Sequence, residues 1–515
     1  MLAHQYLEYH ARMRPDVILL AQDDRSISYL AFDRLANQVA NGLKSLGVAS
    51  NDRIGIIGHN SIDFLAMVIG AFKLGAVAVP INWRLAPQEW HYIIGDAELR
   101  ALFINDGEFL TAAGLVRDGY PDLPIIGSEP VALSGYEVWA DWLADQSSGH
   151  PGQSPHTPGD VCLQLYTSGT TGNPKGALLS HANIQSYLPR HLVALGRDFG
   201  CEVELVCAPM FHIAGLGSVL FSAMMGTKIL LEPAFDPIRV VDKMVNEKVS
   251  QVFMVPAMIK LVLDTIDGID AMDFSNLQRI YYGASPIAPA LLRQAMAVFK
   301  CDFLQAYGMT ETCGTVVHLT AADHEKALNG REDLLLSCGR AGVDTQVQIV
   351  DLDGNVLPPR QTGEICVKSP AVTRGYWKLP DATAEAIQNG WIHTGDAGYM
   401  DEEGYIYLLD RIKDMVVTGG ENVYPVEVEK ALIQHPAIHD VAVIGVPDEK
   451  YGEALAAIVV AEPDSVLEVD DMIAFCRPLI AGYKIPRILK PIDEIPRNPS
   501  GKILKTELRK MYPAL

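Results

Sequence analysis

Short runs of β-branched and other apolar residues alternate along most of the chain with longer stretches whose apolar positions recur at helical spacing. Arg53 to Ile57, Ala101 to Ile104, Glu204 to Ala208, Lys228 to Leu231 and Gln251 to Val255 read as strands, and Tyr29 to Leu46 reads as an amphipathic helix. Such alternation predicts α/β layers with largely parallel sheets, because parallel strands need crossovers that cover both sheet faces. The longest apolar stretch, Phe64 to Pro80, carries Gly70, Lys73 and Gly75 and falls short of a membrane span of about 20 residues. It reads as a buried helix running into a strand, so no integral membrane segment is expected.

From about Val343 the pattern turns to hairpin-like pieces. Gln346 to Asp351, the turn Asp353-Gly354, Glu364 to Lys368, and Asp401-Glu402-Glu403-Gly404 before Tyr405 to Leu409 predict a β-rich subdomain that closes the large region. After Asp410 the pattern resets to a compact α+β unit, with a helix near Pro425 to Gln434 and strands near Asp440 to Gly445 and Ala456 to Val460. A chain of 515 residues exceeds the size at which one core stops growing. The expected division is a large domain over 1–410, a boundary at 411–414 and a small domain over 415–515.

Composition narrows the function classes. With 49% hydrophobic and 20% charged residues the chain is an ordinary globular protein, and a formal charge of −22 offers no basic surface for a nucleic acid or an anionic bilayer. The eight cysteines are scattered, with no C-x-x-C pair and no histidine-cysteine cluster at zinc spacing, and read as reduced cytosolic thiols. Met1 to Pro15 intersperses His, Glu and Arg and lacks the apolar core of a signal peptide. A cytoplasmic placement is therefore expected.

The most informative stretch is Leu165-Tyr166-Thr167-Ser168-Gly169-Thr170-Thr171-Gly172-Asn173-Pro174-Lys175-Gly176, which follows the apolar run Val161 to Leu165. Glycines let the backbone turn tightly and approach an anion, hydroxyls donate to phosphate oxygens, and a lysine adds charge. Gly169, Gly172 and Lys175 do not fit the Walker A spacing. Composition alone also allows a solvated Ser/Thr/Gly loop. Gly283 to Ile287 lacks the second glycine of a nucleophile elbow, which removes the best serine hydrolase candidate.

This string resembles the phosphate loop of the adenylate-forming enzymes: acyl-CoA synthetases, peptide synthetase adenylation domains and beetle luciferases. Four further segments match that family in the same order: Gln305-Ala306-Tyr307-Gly308-Met309-Thr310-Glu311, Trp391-Ile392-His393-Thr394-Gly395-Asp396, Asp410 to Glu429, and Pro496-Arg497-Asn498-Pro499-Ser500-Gly501-Lys502. The resemblance spans nearly the whole chain and is greatest to bacterial fatty acyl-CoA ligases. It implies a large N-terminal domain of layered α/β subdomains with a β-rich subdomain, plus a small mobile C-terminal α+β domain that carries the catalytic lysine.

Residue by residue, the resemblance places Thr167, Ser168, Gly169, Thr170, Thr171, Gly172 and Lys175 on the phosphates of ATP. Glu311 would hold Mg2+, a role suited to a hard carboxylate, and Thr310 would meet the α-phosphate. An isolated Thr-Glu pair would otherwise read as a helix start. Asp396, in a Gly-Asp turn, would accept the ribose diol with Arg411 assisting. Gly283, Ala284, Ser285, Tyr307 and Gly308 match the adenine pocket, and His212, Ile213, Gly283, Gly308 and Met309 match the acyl pocket; a lone histidine beside apolar residues is otherwise more often structural. Gly419 and Gly420 would leave room for a pantetheine arm, Lys413 sits in the matching hinge, and Lys502 would contact both the carboxylate and ATP. On its own Lys413 reads as a surface lysine, Lys502 as a solvated one, and the glycine pair as a hairpin turn.

The implied reaction joins a small-molecule carboxylic acid to AMP, with Mg2+ and release of pyrophosphate, and then to coenzyme A as co-substrate. Medium or long aliphatic acids lead, aryl and cinnamic acids fit the same small pocket residues, and a free-standing protein that loads a carrier protein is the rival within the class. A homodimer is a family-level expectation. Loss of Lys502 or Glu311 would mark a dead nucleotide-binding homologue, and both are present.

Overall fold

The computed structural model describes residues 1–131, 135–152, 156–167, 173–195, 203–418, 421–448, 452–463, 465, 467–497 and 503–512, with the backbone alone at 111–113, 115, 195, 413, 417, 421 and 422. The chain forms two compact units. Met1–Leu335, Gly339–Gln346 and Lys368–Ile392 make the first, and Leu336–Cys338, Val347–Val367 and His393–Leu515 make the second. The segment 411–414 lies within the last of these stretches.

Among the described residues the first unit holds a seven-stranded and a nine-stranded sheet. In the seven-stranded sheet Arg53–Ile57 runs parallel to Val77–Ile81 and to Leu99–Ile104. Residues Ile54, Ile56, Ile57, Val79 and Ile81 are fully or almost fully buried, which is why these strands read as continuous apolar runs rather than alternating ones. The helix Ile62–Leu74 is buried nearly all round and stops where Gly75 adopts φ 80°, after which the chain enters the strand Val77–Ile81. Lys73, the polar interruption of that stretch, is buried with its Nζ 2.9 Å from Glu8 and 2.7 Å from Asp33.

In the nine-stranded sheet Val203–Val206, Gln251–Met254, Arg279–Gly283 and Asp302–Met309 are parallel neighbours. Their register sets Glu204 beside Gln251, Gln251 beside Arg279, and Arg279 beside Asp302, a polar row across strands that are otherwise apolar. The strand Asp302–Met309 then turns back antiparallel into Gly314–Leu319 through the short helix Thr310–Thr312.

In the second unit, Gly363–Lys368, Trp391–Met400 and Ile406–Arg411 belong to one sheet, in the region where the sequence predicts β hairpins. The C-terminal part is built on the long pair Ile438–Asp448 and Gly452–Ala461. Val441, Val443, Leu455 and Val459 face one apolar cluster with the helix Pro425–Leu432, while Ala442, Ile444, Ala456 and Ile458 face another with Leu508. Both faces of the pair are covered, so its apolar residues run without interruption. No helix among the described residues is long and apolar enough to cross a membrane.

Burial keeps these histidines of the first unit neutral: His4, His181 and His318 are pushed down to about 3 and His212 to about 4, while His10, His191 and His324 are also lowered. The unfolded chain takes up protons at these positions below pH about 6.5 and the folded chain does not, so unfolding binds protons. Stability should fall as pH drops from about 7 to 5, by up to about 1.4 kcal/mol per pH unit for each such histidine. Melting temperature measured across that range checks this, and a flat profile would contradict it.

Candidate active site

Thr167 ends the strand Val161–Thr167, and Lys175 opens the antiparallel partner Lys175–Ser180 directly opposite it. Ser168, Gly169, Thr170, Thr171 and Gly172 lie outside the described residues. The ends of that hairpin face the helix Thr310–Thr312: Thr167 Oγ1 donates to Glu311 Oε1 at 3.5 Å, and the Tyr376 hydroxyl donates to the same oxygen at 2.9 Å. Lys175 Nζ stands 5.2 Å from the centre of the Tyr376 ring. Glu311 is 6% exposed and forms no ion pair with any described lysine or arginine.

One segment holds these groups in place. Arg374 N and Trp377 N donate to Leu178 O and Gly176 O, Leu178 N donates to Gly375 O, and Thr373 N donates to Glu311 O at 2.7 Å. Thr373 Oγ1 adds a bond to Leu178 O. The segment thus runs as an edge along Lys175–Ser180 and fixes the Glu311 turn at its other end. These backbone bonds give the carboxylate a defined direction.

Beside this cluster, Ile213, Ala284, Gly308 and Met309 line a cavity together with Tyr187, His191, Glu204, Phe221, Gln251, Phe253 and Tyr281. His212 precedes the helix Ile213–Met225 as its N-terminal flanking residue and lies against Phe211, with ring centres 4.4 Å apart; it and Gly283 are not among the lining residues. Burial, with Arg84 adding to it, pushes His212 down to about 4, so it is a neutral imidazole near pH 7. At Gly283 a Cβ would stand 2.1 Å from Ala306 O, and at Gly308 one would stand 2.0 Å from Gly314 O. Backbone packing therefore demands glycine at both. Ala284 takes φ 64°, which costs an alanine on the order of 1 kcal/mol. Tyr307 and Ser285 are partly buried beside these positions, and Tyr282 is core, its hydroxyl 2.8 Å from His324 Nε2.

In the second unit Asp396 and Arg411 face each other across paired strands, with Arg411 Nε 2.9 Å from Asp396 Oδ1. Arg411 Nη1 also donates to Thr394 O, and Gly395, at φ 69°, donates its N–H to Glu364. His393 Nδ1 lies 2.7 Å from the other Glu364 oxygen. The turn that presents Asp396 is thus pinned on both sides. Asp410 accepts from Val426 N and pairs with Lys505 at 3.4 Å, Lys505 pairs with Glu429 at 2.9 Å, and Arg509 pairs with Asp414 at 2.9 Å. Burial works against the Lys505 ammonium, but Glu429 and Asp410 outweigh it and hold its pKa above the usual value. The helix Lys505–Met511 is therefore tied to the segment 410–414. Lys413 is described by its backbone in the turn Ile412–Asp414, and Lys502, Gly419 and Gly420 lie outside the described residues.

A family model described as AMP-binding enzyme matches residues 7–377, and another described as AMP-binding enzyme C-terminal domain matches residues 427–502. The chain belongs to the AMP-binding enzyme family. Fatty acid–acyl-carrier-protein ligase ScoC of Streptomyces coeruleorubidus is 38% identical, over 99% of this chain and 96% of that protein. The feruloyl-CoA synthase of an Amycolatopsis species is 35% identical, over 98% and 97%. The solved fatty acyl CoA synthetase of Mycobacterium tuberculosis aligns with a TM-score of 0.77 at 33% identity, over 99% of this chain and 98% of that one. The member described here is an acid–thiol ligase of the acyl-CoA synthetase branch.

Sequence reasoning did not single out Tyr376, nor the cavity residues Tyr187, His191, Glu204, Gln251 and Tyr281. A signal existed for Glu204 alone, as a charged residue inside an apolar strand run. Tyr376→Phe removes a hydrogen bond to a buried carboxylate, worth about 1.5–3 kcal/mol. ATP–pyrophosphate exchange should therefore fall roughly ten- to hundredfold in kcat/KM, and Glu311→Ala should fall further. An unchanged Tyr376→Phe rate would separate this tyrosine from the chemistry.

Proposed function

We propose that the protein is an ATP-dependent, AMP-forming acyl-CoA synthetase. The observation that carries this reading is the convergence of Thr167, Lys175, Glu311 and Tyr376 at the mouth of the hairpin whose connecting residues carry the phosphate-loop string. The carboxylate oxygen attacks the α-phosphorus of ATP, pyrophosphate leaves, and an acyl-AMP forms; the thiol of CoA then attacks the acyl carbon, loses its proton, and expels AMP. Two anions must meet in the first step. Positive charge near the reacting oxygens lowers that barrier, and Lys175 and Lys502 supply it.

Glu311 would hold Mg2+, and Thr310 would meet the α-phosphate of ATP. A buried carboxylate with no cationic partner among the described residues fits a hard cation that keeps most of its waters. When bound, the ion would neutralise charge on the phosphates. Asp396 would accept the ribose hydroxyls, with Arg411 fixing its orientation, and Gly283, Ala284, Ser285, Tyr307 and Gly308 would surround adenine. Lys413 would act through its backbone as the hinge, and Gly419 and Gly420 would border the thiol path.

A second reading has the pantetheine of a carrier protein as acceptor, and the 38% identity to a ligase named for an acyl-carrier protein favours it. For the acid, relatives named for fatty and for ferulic acids lie at similar identity, so kinship does not choose between an aliphatic chain, the leading expectation from sequence, and an aryl one. AMP release with acetate, octanoate, palmitate, benzoate and ferulate, in the presence of CoA or of a holo carrier protein, tests both readings. CoA-dependent AMP release is expected, with Lys502→Ala lowering it more than about hundredfold. Thioester formed only on the carrier protein would replace the first reading by the second.

A further inference from the structure

The cavity beside Ala284 and Met309 is lined deep in the sheet by polar side chains. Glu204 and Gln251 sit side by side in one register row of the parallel strands, and Arg279 completes that row. They are 3%, 1% and 3% exposed. Gln251 Oε1 accepts from Arg279 Nη1 at 3.1 Å and from the Tyr281 hydroxyl at 3.4 Å, so the row is braced rather than loose. Two residues further along their strands, Phe253 and Tyr281 share the same sheet face and also line the cavity.

The opposite wall comes from the helix Tyr187–Leu195. His191 lies stacked on Tyr187 with ring centres 3.9 Å apart, and touches Phe221 and Tyr281 through its other contacts. It is 3% exposed, and its Nδ1 is buried without a hydrogen-bond partner. Burial keeps the ring neutral. A neutral imidazole nitrogen is a donor or an acceptor according to tautomer, and a hydroxyl can serve either. The aromatic side chains of Tyr187, Phe221, Phe253 and Tyr281 in the lining suit an aromatic body better than a coiling alkyl chain.

We propose that the acid activated at this site is an aromatic acid carrying a ring hydroxyl, bound through that hydroxyl by His191 and the Glu204–Gln251 row. The proposal rests on the adenylation reading above. It makes His191, Glu204 and Gln251 specificity-determining residues, placed away from the Glu311 cluster where the carboxylate reacts. An alkyl chain end or an unsubstituted ring would leave the cavity-lining polar side chains of His191, Glu204 and Gln251 against carbon, and a site built to bond a hydroxyl discriminates against the analogue that lacks it.

The test is AMP release, with CoA or a holo carrier protein present, for matched acids: 4-hydroxycinnamate against cinnamate, 4-hydroxyphenylacetate against phenylacetate, with octanoate and palmitate as alkyl probes. The hydroxylated acid of one pair should be preferred at least about tenfold in kcat/KM over its partner and over both alkyl acids. His191→Phe should cut that ratio by at least about threefold, and the isosteric Glu204→Gln, which retains the side-chain volume, should do the same. Turnover that favours the unsubstituted or alkyl acids, or a ratio unchanged in a variant that melts like the parent, overturns the inference while leaving adenylation intact. Turnover of no acid with either acceptor overturns adenylation, and the inference falls with it.

Discussion

Glu311 is a carboxylate held almost entirely out of water, and much of the surrounding structure serves to keep it there in one orientation. Its oxygen receives two hydroxyl bonds and its backbone carbonyl a third hydrogen bond, from Thr373. An ion in that position is costly unless positive charge comes to it. The same constraint brings Thr167 and Lys175 to one point, since the strand pair that carries them is stitched to the Glu311 turn by the segment through Thr373 and Tyr376. In the proposed reaction a nucleotide's phosphates and a divalent cation would answer this arrangement chemically. The strand pair Val161–Thr167 and Lys175–Ser180, the edge segment and the Glu311 turn are therefore held together by one set of hydrogen bonds.

A second constraint is steric. The strands Arg279–Gly283 and Asp302–Met309 approach so closely that side chains are excluded at Gly283 and Gly308, and Ala284 is driven into a left-handed conformation at the exit. Gly308 and Ala284 then border the cavity, while Gly283 is taken up by its contact with Ala306. The same sheet also gives the cavity Glu204 and Gln251, with Arg279 behind them bonded to Gln251.

In the second unit the polar contacts serve position more than chemistry. Asp410 caps the start of the helix Pro425–Leu432, and Lys505 bridges it to Glu429, so the segment 410–414 is fixed to the C-terminal fold by buried pairs whose loss would strand a charge. The Asp396 turn is likewise set by Arg411 and Glu364. These are cross-strand and helix-to-strand contacts, and each depends on partners far apart along the chain.

Local pattern was enough to read the strands Arg53–Ile57 and Lys228–Leu231, the helix from Tyr29, and the buried helix and strand around Lys73, because covered faces write their period into adjacent residues. The phosphate-loop string and the Thr310-Glu311 and Gly395-Asp396 pairs stand out in the sequence because each is a motif of consecutive residues, although Ser168 to Gly172 lie outside the described residues. Tyr376 was not legible, since it meets Glu311 across 65 positions, and Thr167 meets the same carboxylate across 144. Nor were His191 and Gln251, which look like ordinary core residues until strand register sets one row of polar groups beneath a helix. The sequence determined which groups the protein possesses and the layers it builds; only tertiary structure decided which of them share a cavity, because strand order and register are settled by packing between segments that the chain itself keeps far apart.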